Sequence, residues 1–205
     1  MGWGGPSVPV TLADVVTIGG AGVMVLGALA AAVVAVLVAL VARPRLGTAS
    51  AVSFAGLLWS LVAIALVTLV PTRPDVGIVP AESRSEACSW DYGGPSGAAF
   101  EVFGLDQRTL NVLLFVPAGV FLVLAVGRWW AGLVLAPLGL ACLAAYSLAI
   151  ELVQLQLARL DRACDVTDMV DNVLGAGIGF VAGVVLLPLV RPWRGRQRPE
   201  PPLAH

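Results

Sequence analysis

Charge is scarce in this chain: only 12% of its 205 residues are Asp, Glu, Lys or Arg, about half of the roughly 25% usual in soluble domains. Histidine occurs once, as His205, and the three cysteines, Cys88, Cys142 and Cys164, lack metal-ligand spacing. A zinc hydrolase is thereby excluded, and neither a metal site nor a cofactor is expected. There is no P-loop and no Gly-x-Ser-x-Gly elbow, so any catalysis falls to carboxylates acting as acid and base. A net charge of -1, a pI near 5.7 and the lack of a basic run facing an aromatic platform exclude nucleic acid as a partner. Short alternating strands are missing too, which excludes a spanning barrel. Residues 1–14 contain neither Lys nor Arg, whereas a cleaved signal peptide carries positive charge ahead of a shorter apolar region.

What the chain has is apolar length. Hydrophobic residues make up 59% of it and the mean hydropathy is +0.92. Crossing a bilayer core takes about 20 apolar residues, each helix satisfying its own backbone. The pattern predicts an all-α polytopic integral membrane bundle, multi-pass in the plasma membrane, with about five spans near 15–42, 51–70, 110–126, 131–157 and 169–190. An N-terminal tail (1–14), an outer Pro/Gly-rich loop (72–108) and a basic, Pro-rich, disordered tail (191–205) complete the division around a membrane domain at 15–190. Pro71 and Pro74 end the second span, and Pro117 is a candidate kink in the third. Arg43, Arg45, Arg128, Arg191, Arg194, Arg196 and Arg198 all fall on one side of the alternation, which predicts that side as cytoplasm, the N-terminus out and the C-terminus in. Trp129, Trp130 and Trp193 fall at the same boundary, where amphipathic rings prefer to sit.

Against this background the stretch 146–183 is unusual, because it holds Glu151, Gln154, Arg162, Asp165, Asp168, Asp171 and Asn172 in or beside apolar segments. An ionisable group at the centre of a spanning helix costs about 2.5–3.5 kcal/mol on insertion scales, so such groups face a bundle interior and pair. Glu151 and Gln154 share one helix face, as do Asp165, Asp168 and Asn172. Gly175, Gly179 and Gly183 continue below Asn172 as a small-residue face for close helix approach, so Asn172 is expected inside and Asp171 solvated or paired. The topology brings Asn111, at the start of the third span, to the same outer level, where it is a candidate partner for Glu151 or Asn172.

Each of these residues has two readings. Glu151, about 9 Å inside its helix end, is a proton carrier, counter-charge or ligand-binding acid, or else a structural tie between helices. Gln154 is more simply interhelical glue. Asp165 and Asp168 resemble an N-cap arrangement; Arg162 either pins the loop to them or holds a phosphate or carboxylate. A divalent cation would need more oxygen ligands than these residues supply. Cys88 and Cys164 both fall outside, where oxidation is possible; a disulfide between them would fold the 72–108 loop over the polar cluster, and two free thiols are the alternative.

Two motifs resemble a known family. Glu151 and Gln154, followed by Arg162, Asp165, Asp168, Asn172 and Gly175, are similar to the C-terminal signature of the VanZ-like membrane proteins. Asn111, Phe115, Pro117 and Gly119 are similar to the Asn-x-x-x-Phe-x-Pro-x-Gly segment that precedes it. The resemblance covers 111–183 and says little about the first hundred residues. It implies a cell-envelope protein that lowers susceptibility to lipoglycopeptide (glycopeptide, teicoplanin-type) antibiotics or modulates lipid-linked wall precursors through the outer polar cluster. The implied partners are membrane lipid and a lipid-linked cell-wall precursor or a lipoglycopeptide. Two other classes stay open. One is an intramembrane enzyme or binding protein acting on a phospho- or polyprenyl-lipid head group, with Glu151, Asp165 and Asp168 as candidate catalytic groups. The other is a small transporter, poorly supported by five spans without inverted repeats.

Overall fold

In a computed structural model, residues 20–70, 88–92, 106–156 and 164–190 are described. They form five helices: α1 (Gly20–Leu46), α2 (Thr48–Leu69), α3 (Gln107–Val126), α4 (Gly132–Gln156) and α5 (Val166–Val190). All five are long and apolar enough to cross a membrane. Among the described residues there is no strand, only an isolated parallel bridge between Ser89 and Asp165.

α2, α3 and α5 start three residues ahead of the expected apolar stretches, because hydropathy marks the lipid-facing part of a helix, whereas caps mark its end. Asp106 starts α3 three residues ahead of the expected span, its side chain accepting the Thr109 amide at 2.8 Å. Asp165 does the same for α5 by accepting the Thr167 amide at 2.8 Å, which satisfies one of the amides that a helix start leaves unpaired. At the other end α1 runs on through Pro44 to Leu46, and one residue, Gly47, separates it from α2. Gly47 has φ 76°, a left-handed conformation that glycine adopts without steric penalty, and this turns the chain back on itself. Arg128, just past α3, donates to the Leu46 carbonyl and so satisfies part of the α1 terminus.

Alternation places Arg43, Arg45 and Arg128 at one end of the bundle and Asp106, Arg108, Asp165, Asp168 and Asp171 at the other. The most extensive helix pair is α3 with α5. The two run parallel at a constant offset of 63 residues, with Val112, Val116 and Val120 of α3 against Gly175, Gly179 and Gly183 of α5. A β-carbon on Gly175 or Gly179 would overlap the carbonyl oxygen of Val112 or Val116, and one on Gly119 that of Ala176. Lipid is as apolar as leucine, so such close backbone contact, rather than expulsion of water, holds helices together here.

Around that pair, α2 packs on α3 and α1 leans on α2, while α4 makes lighter contacts with α5, α3 and α2. Ile64, Phe115, Leu122, Leu143, Ile150 and Ala176 form the central apolar cluster. Polar side chains also bond backbone across helices: Trp59 Nε1 donates to the Ala28 carbonyl at 3.0 Å and the Tyr146 hydroxyl to the Leu61 carbonyl at 2.8 Å. Buried Ser53, Ser60 and Thr68 donate to carbonyls four residues back in α2, at 2.8 Å each, so their hydroxyls need no water.

Candidate functional site

The end of the bundle away from the arginine-rich turn gathers polar side chains from α2, α3, α4 and α5. Glu151 and Gln154, on the last turns of α4, are 2% and 4% exposed, so both are withdrawn from lipid and water alike. Gln154 Nε2 donates to the Thr68 carbonyl at 2.9 Å. That carbonyl lies in the last turn of α2, where no intrahelical amide remains for it, so the contact ties α4 to a helix end that needs a donor. Glu151 Oε2 accepts the Asp165 amide at 3.3 Å, joining the end of α4 to the start of α5.

Asp168 Oδ2 accepts from Gln107 Nε2 at 3.0 Å, and Asp171 accepts from Arg108 Nε at 2.9 Å and Nη2 at 3.3 Å. These bonds latch the first turns of α3 and α5 together. Arg108 Nη2 also donates to the Tyr92 hydroxyl at 3.0 Å. Tyr92 belongs to the short described segment 88–92, which Cys88 anchors to Cys164 through a disulfide with the Cα atoms 4.5 Å apart. The backbone reinforces the anchor: Ser89 N donates to the Cys164 carbonyl at 2.8 Å, and Val166 N to the Ser89 carbonyl at 3.0 Å. A piece of the loop is thereby fastened over the start of α5.

One turn inward, Asn172 Nδ2 donates to Ser147 Oγ of α4 at 3.0 Å. Ser147 is fully buried and Asn172 is 2% exposed. Asn172 Oδ1 and Asn111 Nδ2 are buried atoms without a hydrogen-bond partner among the described residues. A buried unpartnered polar atom costs about 1–3 kcal/mol, so two at one level call for an explanation.

The placement corrects two expectations. Asp171, not Asn172, continues the glycine face: 171, 175, 179 and 183 keep a strict spacing of four, and Asp171 meets α3 through Arg108 just as the glycines meet it through valines. Asn172 is inside as expected, but it turns toward α4. The Asn111 amide nitrogen bonds to neither Glu151 nor Asn172. Arg162 lies outside the described residues. Glu151, Gln154, Asp165, Asp168 and Asn172 lie with the disulfide at the end of the bundle where α3 starts, four residues ahead of Asn111 on that helix.

Sequence reasoning missed Arg108, Gln107, Ser147, Thr68 and Tyr92. Only the first had a visible signal: Arg108 stands four residues before Val112 on the row that faces the glycines, so an acid opposite it was foreseeable once the helices were paired. The others bond through single hydroxyls, amides or carbonyls, which no pattern announces.

The model of the VanZ/LLP1 family matches residues 30–187 of the chain. No curated protein and no solved structure matches it.

Proposed function

This chain belongs to the VanZ/LLP1 family, and on that premise we propose that it is a non-enzymatic protein of the plasma membrane whose polar end faces outward, holds a lipid-borne polar group and thereby lowers susceptibility to lipoglycopeptides. The arginines at the opposite end support the orientation, since positive residues favour the cytoplasmic side. One observation carries the choice of binding over catalysis: the carboxylates have structural bonds while two amides keep open atoms. Asp165 caps α5, Asp168 accepts from Gln107, Asp171 is paired with Arg108, and Glu151 accepts the Asp165 amide. An acid-base pair acting on a head group would first have to leave these bonds. Asn111 Nδ2 and Asn172 Oδ1 have no such bond to leave among the described residues.

The test is the susceptibility of a host expressing the chain to a lipoglycopeptide, normalised to the amount of protein in the membrane. Asn111→Ala and Asn172→Ala, which remove the unpartnered amides, are expected to abolish the protection at normal protein levels. If protection falls only in proportion to lost protein, the cluster is a structural knot and the binding reading fails.

A further inference from the structure

We propose that Asn111 and Asn172 form a subsite for a hydroxyl group of a lipid head group, just inward of the Arg108–Asp171 pair. The inference rests on the binding reading of this cluster and specifies what the cluster recognises. Depth comes from helix register. The Val112 carbonyl faces Gly175, so Asn111 stands one residue above that contact and Asn172 three, which at about 1.5 Å per residue leaves them within roughly 3 Å along the axis. They are not bonded to each other, since Asn111 Nδ2 and Asn172 Oδ1 are both without a partner among the described residues. The Ser147 hydroxyl fixes the Asn172 amide by taking an Nδ2 hydrogen, which leaves Oδ1 as the atom without a partner among the described residues.

What remains open is one donor and one acceptor, and that pairing selects the ligand. A phosphate or carboxylate oxygen only accepts; it would satisfy Asn111 and leave Asn172 Oδ1 facing another acceptor. An ammonium only donates and would leave Asn111 facing a cation. A hydroxyl does both, giving its hydrogen to Asn172 Oδ1 and a lone pair to Asn111 Nδ2. Water has the same chemistry, so the experiment must separate water from lipid.

Two lipids of equal charge and acyl chains do so: phosphatidylglycerol, whose head group carries hydroxyls, and phosphatidylmethanol, whose head group has none. The full chain is equilibrated in micelles containing equal amounts of both, and retained lipid is weighed by native mass spectrometry. The expected result is roughly tenfold preferential retention of phosphatidylglycerol, the factor for one restored buried hydrogen bond. In Asn111→Leu the preference falls to about one, because the hydroxyl loses its donor. Asn111→Ala repeats the test should the leucine not fit, and an intact Cys88–Cys164 disulfide in each variant checks the fold. Equal retention by the natural chain means that water alone fills the subsite, and overturns this inference while leaving lipid binding standing. A preference that survives both variants overturns it as well. Retention of neither lipid overturns the binding reading itself.

Discussion

At the scale of single residues, the polar end of the bundle is governed by which partner can reach water. The Arg108 side chain is 42% exposed and that of Asp171 only 4%, so the two halves of their ion pair are unequal. Removing the arginine strands a carboxylate in the interior, whereas removing the acid leaves a guanidinium that can turn to solvent. Arg108→Leu is therefore expected to lower the melting temperature in detergent more than Asp171→Leu, and the double variant should recover part of the loss. Equal losses from the two single variants would show that Asp171 is hydrated after all. Gln154→Leu breaks a single bond to the Thr68 carbonyl and is expected to cost about 0.6–2 kcal/mol in unfolding, the range for hydrogen bonds between helices in lipid. Asp106 gives a pH signature outside the spans. Thr109, through its side chain and then its amide, holds the Asp106 carboxyl below its ordinary value of 3.8. A depressed carboxylate stabilises the fold above that ordinary value and loses its contribution as pH falls through the depressed one. Amide exchange at the first turn of α3 is therefore expected to lose protection only in that acid window.

At the scale of helices, α5 is built on its glycine row. A side chain at Gly179 would meet the Val116 carbonyl, which belongs to backbone and cannot step aside. Gly179→Val is expected to separate α3 from α5 at a cost of about 3 kcal/mol or more, read as loss of folded protein in detergent extracts. Gly177 supplies the control on the same helix: a β-carbon there meets nothing within 4 Å, so Gly177→Ala should fold as well as the natural chain. The glycine row was legible in the sequence because a spacing of four puts residues on one face. Its continuation was misassigned to Asn172 because spacings of three and four both keep a face, and only the facing helix chooses between them. Asp171 wins since α3 presents Arg108 at the matching position. Helix ends were off by about three residues at α2, α3 and α5, where polar first turns lie outside the apolar signal.

Across the whole molecule, the disulfide and the five helices set one end apart from the other. Linking positions 76 residues apart would stabilise a free chain by about 4.5 kcal/mol through lost loop entropy. Two intervening membrane crossings, α3 and α4, already restrict that loop, so reduction is expected to cost less than this and to act locally, raising amide exchange at 88–92 before the helices loosen. The proposed orientation has its own test. After reduction, a membrane-impermeant maleimide added to intact cells should label Cys88 and Cys164, whereas a cysteine placed by Arg45→Cys should stay unlabelled until the membrane is opened. The reverse pattern would invert the topology and put the polar cluster on the cytoplasmic side.

The sequence by itself determined that this chain is an all-helical, five-span membrane protein with a polar cluster at one level, because hydropathy, charge placement and face spacing are properties of a single helix read along its length. It also carried the family motifs at 111–119 and 151–175. Only the tertiary structure decided the partners. That Arg108 belongs to Asp171, Gln154 to the end of α2 and Ser147 to Asn172 follows from the rotation and register of one helix against another. Those quantities are set where backbones meet at the glycines, and a one-dimensional pattern leaves them free. The same contacts leave one donor on Asn111 and one acceptor on Asn172 without a hydrogen-bond partner among the described residues.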